Sequence, residues 1–212
     1  MQQDRTETAR GLSRKSSSRA GLRRLFRSKD GAAAIEFALL AIPYFIIVFA
    51  IIETFVAYTA EQLVANAVDT MGRKLRTGNI TYNHTTTTNN KTEAEFRRLF
   101  CGEISILIQC SEAEITTRAQ TNKLWIDVRS YNEFSNMPTT LPMNASGDLD
   151  TSTTSISYAP GGPGTKNMLR AYYKWDIITD LLRPYISNVR PTQGSKYFLI
   201  VETSVFKNED YP

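Results

Sequence analysis

Residues Gly31 to Ile52 read GAAAIEFALLAIPYFIIVFAII, an almost wholly apolar stretch with a single carboxylate, Glu36, near its start. From Ala38 to Ile52 there is no charge at all, and the low-polarity segment extends from Ala32 to about Tyr58. A bilayer core takes roughly 20 residues of helix, so this segment is long enough to cross one. The competing reading is a cleaved secretory peptide. Its apolar region would be shorter, about 7–15 residues, and followed by an A-x-A-like site. No such site follows Ile52, and the helical pattern continues instead. The expectation is a transmembrane helix over residues 32–58.

Charge is distributed unevenly around this segment. The 212-residue chain carries a net +4, but its first 30 residues hold nine Lys/Arg against three acids. The basic character therefore belongs to the N-terminal flank, with Arg19, Arg23, Arg24, Arg27 and Lys29 just before the apolar run. After it, Glu53 and Glu61 come before any basic residue. The positive-inside rule then puts the N-terminus in the cytoplasm and residues 59–212 outside. Residues 1–31 read as a basic, serine-bearing, disordered leader. They offer no folded basic surface or stacking aromatics, so no nucleic-acid partner is expected.

Beyond the apolar run, Leu63, Val64, Ala67, Val68, Met71 and Leu75 recur at helical spacing. Arg73, Lys74 and Arg76 suit the negative end of a helix dipole, and Gly78 stands where a C-terminal glycine cap belongs. The reading is one helix from about Ala33 to Thr77, roughly 65 Å long, transmembrane first and then amphipathic. Pro43 would remove one of its backbone bonds and favour a kink. Residues 79–90 form a polar loop. Thr92-x-x-Glu95 makes a capping box ahead of a second helix from about Glu93 to Leu107, packed on the exported half of the first.

The pattern then shifts to period two. Leu124, Ile126 and Val128 alternate with Trp125, Asp127 and Arg129, which marks a strand. Ile115, Thr117 and Ala119 suggest a neighbouring strand. Residues 135–167 read as a long polar loop. Strand character returns over Leu169–Trp175 and Lys196–Phe206, with a short helix around Ile178–Tyr185 between them. The expected fold class is α+β: a long N-terminal helix and a second helix packed on a small, mostly antiparallel sheet.

Little in the chain points to catalysis. Its one histidine, His84, lies in a Thr/Asn loop and reads as a solvated loop residue, which leaves a Ser-His-Asp or Cys-His site without a base. GGPGTK at Gly161–Lys166 lacks phosphate-loop spacing and reads as a turn. Trp125, Trp175, Tyr172 and Tyr173 read as packing residues. The expectation is no enzyme activity, no cofactor and no metal. Cys101 and Cys110 are the only cysteines. In an oxidising compartment they suit a disulfide, provided that the helix ends between them. Nine residues of unbroken helix would hold them about 13 Å apart along its axis, beyond bridging distance.

A carboxylate inside a membrane is costly and usually marks function. Small residues precede Glu36, and a glycine behind a basic leader suits a membrane-embedded peptidase. Cleavage between Gly31 and Ala32 would leave Ala32 with a free ammonium and make Glu36 the fifth residue of the mature chain. When staggered helices pack, one carboxylate could pair with the next chain's ammonium, each offsetting the other's desolvation.

Gly31-Ala32-Ala33-Ala34-Ile35-Glu36-Phe37, with the apolar run and Pro43, resembles the prepilin-like segment of the TadE/TadG-like family. These are minor pilins or pseudopilins of the tight-adherence (Flp, type IVb) pilus system. GRKLRTG at Gly72–Gly78, the cysteine pair, LWIDVRSY, YYKWDII and VETSVFKNEDYP also stand in the order that a TadE-like protein has. The resemblance implies a pilin-like fold, insertion in the bacterial inner membrane and a periplasmic C-terminal domain. It also implies processing by a prepilin peptidase at Gly31–Ala32, roles for Glu36 and Phe37 in processing and assembly, and other pilin-like and Tad assembly proteins as partners. Two other readings stay open. One is an uncleaved single-pass scaffold of the Tad apparatus. The other is an anchored enzyme or binding module with residues 135–167 as a lid.

Overall fold

The computed structural model describes residues 29–85, 88–119 and 121–211, with side chains described from Ala33. The disordered-leader expectation for residues 1–28 lies outside the described residues. Two compact units divide the chain, residues 1–48 and 49–212.

Helix α1 runs Lys29–Arg76, 48 residues, and continues through Pro43. Among the described residues it is the one helix long and apolar enough to cross a membrane. In the first unit its apolar side chains face outward: Phe37 is 72% exposed and Leu40 68%. Such a surface is unfavourable in water and ordinary in lipid. In the second unit the helix becomes amphipathic. Ala60, Val64, Ala67, Val68, Met71 and Leu75 are buried, following the spacing noted in the sequence. The helix stops in two bonds, Gly78 N–H to Leu75 O at 3.2 Å and Ile80 N–H to Lys74 O at 3.0 Å. Gly78 has φ +73°, and a Cβ there would lie 2.5 Å from the Tyr211 ring, so only glycine fits both the turn and the packing.

Helix α2, Glu93–Ile104, starts at the expected capping box. Thr92 N–H donates to Glu95 at 2.8 Å, and Glu95 N–H donates to Thr92 Oγ1 at 3.3 Å. It ends at Ile104, one turn short of the expected Leu107. The Ile108 N–H closes back on Ile104 O at 3.0 Å, which turns the chain and brings Cys110 toward Cys101.

Residues 112–119 correct the sequence reading. The expected strand is instead a short helix, α3, Glu112–Thr116, opened by a second capping box between Ser111 and Glu114. Local capping outcompetes the Ile115/Thr117/Ala119 alternation. Ile115 turns inward and is buried.

The sheet has four strands in the order β2-β1-β3-β4. They are β1 (Leu124–Tyr131), β2 (Tyr158–Ala159), β3 (Lys166–Trp175) and β4 (Phe198–Lys207). β1–β3 and β3–β4 are antiparallel, and β2 adds a short parallel edge. The structure is thus α+β, with a mostly antiparallel sheet. β2 and the start of β3 fall within the stretch 135–167 expected to be loop. The helix expected around Ile178–Tyr185 is a single turn, α4, Arg183–Ile186.

Alternation along β1 predicts one buried face, but Leu124 through Val128 are all buried. The reason is a layer on each side. Leu124, Ile126 and Val128 share a core with Val64, Met71, Phe96 and Phe100 from α1 and α2. Trp125 shares a second core with Leu149, Ile156, Tyr172, Val189, Tyr197 and Leu199, whose cover comes from the long loops. Each fully buried large apolar side chain contributes about 1.5–3 kcal/mol. Gly72 lets α1 pack closely on β4, where a Cβ would lie 3.0 Å from Ser204 Oγ.

Candidate functional site

The residues singled out at the head of α1 lie in its first three turns. The Gly31–Ala32 peptide bond is in the opening turn of a helix that begins at Lys29. The first four amides of a helix have no intrahelical acceptor, so this turn opens at low cost. Glu36 is exposed, as is Phe37 beside it. Among the described residues Glu36 has no ion-pair partner, so its charge is left facing outward along the most apolar part of the chain. A carboxylate so placed in a membrane span is a candidate functional residue.

The second unit is braced so that α1 is held firmly. Cys101 and Cys110 form a disulfide with 6.0 Å between Cα atoms. It clamps the end of α2 to the start of α3, and the α2 stop at Ile104 makes the bridge possible. Lys74 pairs with Glu103 at 2.8 Å, and Arg76 pairs with Glu209 at 3.1 Å. These two pairs anchor the last turn of α1 to α2 and to the C-terminal tail.

Arg97 is the residue that sequence reasoning missed. On α2 it occupies what looks like a polar face, yet it is 2% exposed. Its guanidinium donates to Thr117 O at 2.7 Å and Glu114 O at 3.2 Å. It also pairs with Glu93 at 2.7 Å and lies 5.8 Å from the Trp125 ring centroid. Burial pushes its pKa below the ordinary value, and Glu93 works against that shift. Arg118 joins the same carboxylate at 2.8 Å. One buried cation thus satisfies the carbonyl end of α3 and fixes it against α2.

On the loop side, buried Asp127 pairs with Arg129 at 2.6 Å and accepts Ser157 N–H at 3.0 Å. Arg129 donates to Ser155 O at 3.0 Å. Arg170 reaches Pro138 O at 2.7 Å and Thr203 Oγ1 at 2.8 Å. These bonds fasten the 135–157 segment to the sheet. A polar cleft of about 230 Å³ opens there, lined by Arg118, Asn144, Asp148, Asp150 and Lys174. Its charged groups are engaged in holding the loop. Asp148 bonds Tyr197 and pairs with Lys174 at 3.2 Å, and Asp150 accepts Ser155 Oγ–H at 2.5 Å. Burial works to raise the Asp148 pKa, but the bonds from Tyr197, Leu149 N–H and Lys174 outweigh it and hold the carboxyl below its ordinary value. GGPGTK is a structural turn, with Asn208 Nδ2 donating to Gly161 O at 2.9 Å and Gly162 O at 3.0 Å.

Glu53 is a further residue whose role the sequence did not show. It is 7% exposed and accepts the backbone amides of Ile178 at 2.5 Å and Thr179 at 3.2 Å. A carboxylate on α1 therefore clasps a loop 125 residues away. Glu53→Ala leaves both amides without an acceptor, a loss of about 1–3 kcal/mol. Amide exchange at Ile178 and Thr179 is expected to speed up roughly tenfold or more, with core strands unchanged. Unaltered exchange at both sites would contradict the clasp.

No curated protein and no solved structure matched the chain. Residues 31–73 match the family model described as TadE-like protein. The match takes in Gly31, Ala32, Glu36, Phe37 and Glu53 and ends in the last turn of α1, so the sheet and its loops lie outside it. Over residues 31–73, the segment that carries every assembly residue expected from the sequence, the chain is similar to TadE-like proteins.

Proposed function

We propose that this chain is a pseudopilin-like inner-membrane protein that assembles a Flp/Tad type IVb pilus through α1 after cleavage between Gly31 and Ala32. The observation that carries the reading is the TadE-like match over residues 31–73, which joins the cleavage motif, Glu36 and the apolar helix in one segment. The disulfide supports placing the C-terminal unit in an oxidising space, and so the N-terminus in the cytoplasm. Prepilin peptidase, other pilin-like and Tad assembly proteins and the bilayer are its partners in this reading. The protein itself has no enzymatic role.

Gly31→Leu tests it. A bulky side chain beside the scissile bond closes the peptidase's access to the backbone. The expected result in the native host is full-length protein in the membrane and loss of surface pili. Normal cleavage and piliation would argue against Gly31 as the processing residue.

A second reading is an uncleaved scaffold of the Tad apparatus. It draws on the helix beginning at Lys29, so that α1 crosses the Gly31–Ala32 bond without interruption. In that case Gly31→Leu leaves both protein size and piliation as they were.

A further inference from the structure

Segment 175–186 presents an apolar surface that the pilus-assembly reading does not use. Ile178 is 85% exposed, Leu181 58% and Tyr185 83%. Three large apolar side chains within eight residues, all facing solvent, are unusual for an external loop. They adjoin α1. Trp175, Ile178 and Thr179 line an apolar cleft of about 160 Å³ with Phe49, Ile52, Glu53 and Val56. The outer surface of that part of α1 is apolar as well, with Ile52 51% and Phe55 68% exposed.

We infer that segment 175–186 is a second membrane contact, resting on the outer leaflet beside the point where α1 leaves the bilayer. About 20 helical residues cross a hydrocarbon core, so within the apolar stretch 32–58 a span counted from Ala33 has reached full crossing length at Ile52. Glu53 is the next residue, and it is the residue that holds the segment. Its bonds to Ile178 and Thr179 also answer a specific need, because backbone amides near lipid have little water to accept from them. Arg183 donates to Ile177 O at 3.1 Å, which satisfies a carbonyl of the same turn. Trp175, Tyr185 and Tyr58 are residue types that settle at the headgroup level. The lipid surface is favoured over a protein partner because the patch is continuous with the exposed apolar face of α1. The segment would set the tilt and depth of the exported unit on the membrane, a constraint that a lone helix does not supply.

The inference rests on α1 being a membrane span, and the test separates the two. Single spin labels are placed by Ile178→Cys, Leu181→Cys and Tyr185→Cys in the full chain, reconstituted in vesicles of zwitterionic and anionic phospholipid. Leu40→Cys reports on the span, and Ser135→Cys on an exposed site remote in sequence. The native cysteines are bonded to each other and do not compete for label. Positions 178 and 181 are expected to collide more with oxygen than with a water-soluble nickel chelate, as position 40 does, with the order reversed at 135. Lipid at 40 with water at 178 and 181 overturns the inference and spares the span. Exclusion of both reagents at 178 and 181 means that protein covers the patch, which also overturns it. Water at 40 removes the span, and the inference falls with it.

Discussion

Glu36→Ala is expected to leave the protein inserted and cleaved while surface pili fall sharply. Under the proposed assembly, the carboxylate meets the Ala32 ammonium of a neighbouring chain where little water competes. An uncompensated charge in such a place costs several kcal/mol. Even 2 kcal/mol lost per contact is roughly thirtyfold in an association constant. Glu36→Asp keeps the charge on a shorter arm and should restore part of the assembly, whereas Glu36→Gln should not. Counting pili by electron microscopy, beside a membrane blot that shows equal protein, separates assembly from insertion. Undiminished piliation in Glu36→Ala would favour the scaffold reading. The exposed setting of Glu36 in the single chain is what leaves it available to a neighbour.

Arg97→Ala is expected to cost about 3–4 kcal/mol of stability. Removing this cation strands the carbonyls of Glu114 and Thr117 and takes away a partner of Glu93, which keeps Arg118. It also opens a cavity against the Trp125 ring. At about 2–4 °C per kcal/mol for a chain of this size, the melting midpoint in detergent should fall by roughly 6–16 °C. Arg97→Lys keeps the charge but loses the planar fork, and should recover only part of the loss. A shift under about 2 °C for Arg97→Ala would contradict this role.

Much of the architecture was legible in the sequence because it follows from local rules. The helical spacing from Leu63 to Leu75, the basic last turn, Gly78 and the Thr92/Glu95 box all act within one or two turns of chain. The central strands were legible as well, since β-branched and aromatic residues clustered between turn-forming stretches. The misses are of a different kind. Ser111-x-x-Glu114 is a capping signal that the apolar alternation behind it obscured. β2 has two residues and exists because β1 offers a parallel edge, beside which Asp127 accepts Ser157 N–H. Nothing near Tyr158 announces it. Burial on both faces of β1 depends on loops that return from residues 149–199. Arg97 and Glu53 looked like ordinary polar positions. Each is buried by partners distant in sequence, Arg97 by the carbonyls of Glu114 and Thr117 and Glu53 by a turn 125 residues away.

The same contrast applies to the proposed site. Gly31, Glu36 and Phe37 are readable as a motif because their role rests on chemistry within a few residues. The braces that present α1 are tertiary: the α1 pairs with Glu103 and Glu209, the Cys101–Cys110 bridge and the Glu53 clasp. They fasten the second unit's own part of α1 to the rest of that unit. In the proposed assembly that fastening matters, since a staggered ion pair forms only if each helix is held at one depth.

The most direct test of the account is the intact mass of the protein extracted from membranes of its native host. The proposed assembly requires a chain whose first residue is Ala32, carrying a free ammonium. A chain that keeps Met1 in cells making normal fibres would contradict it, because the amine that neutralises Glu36 would never have been created.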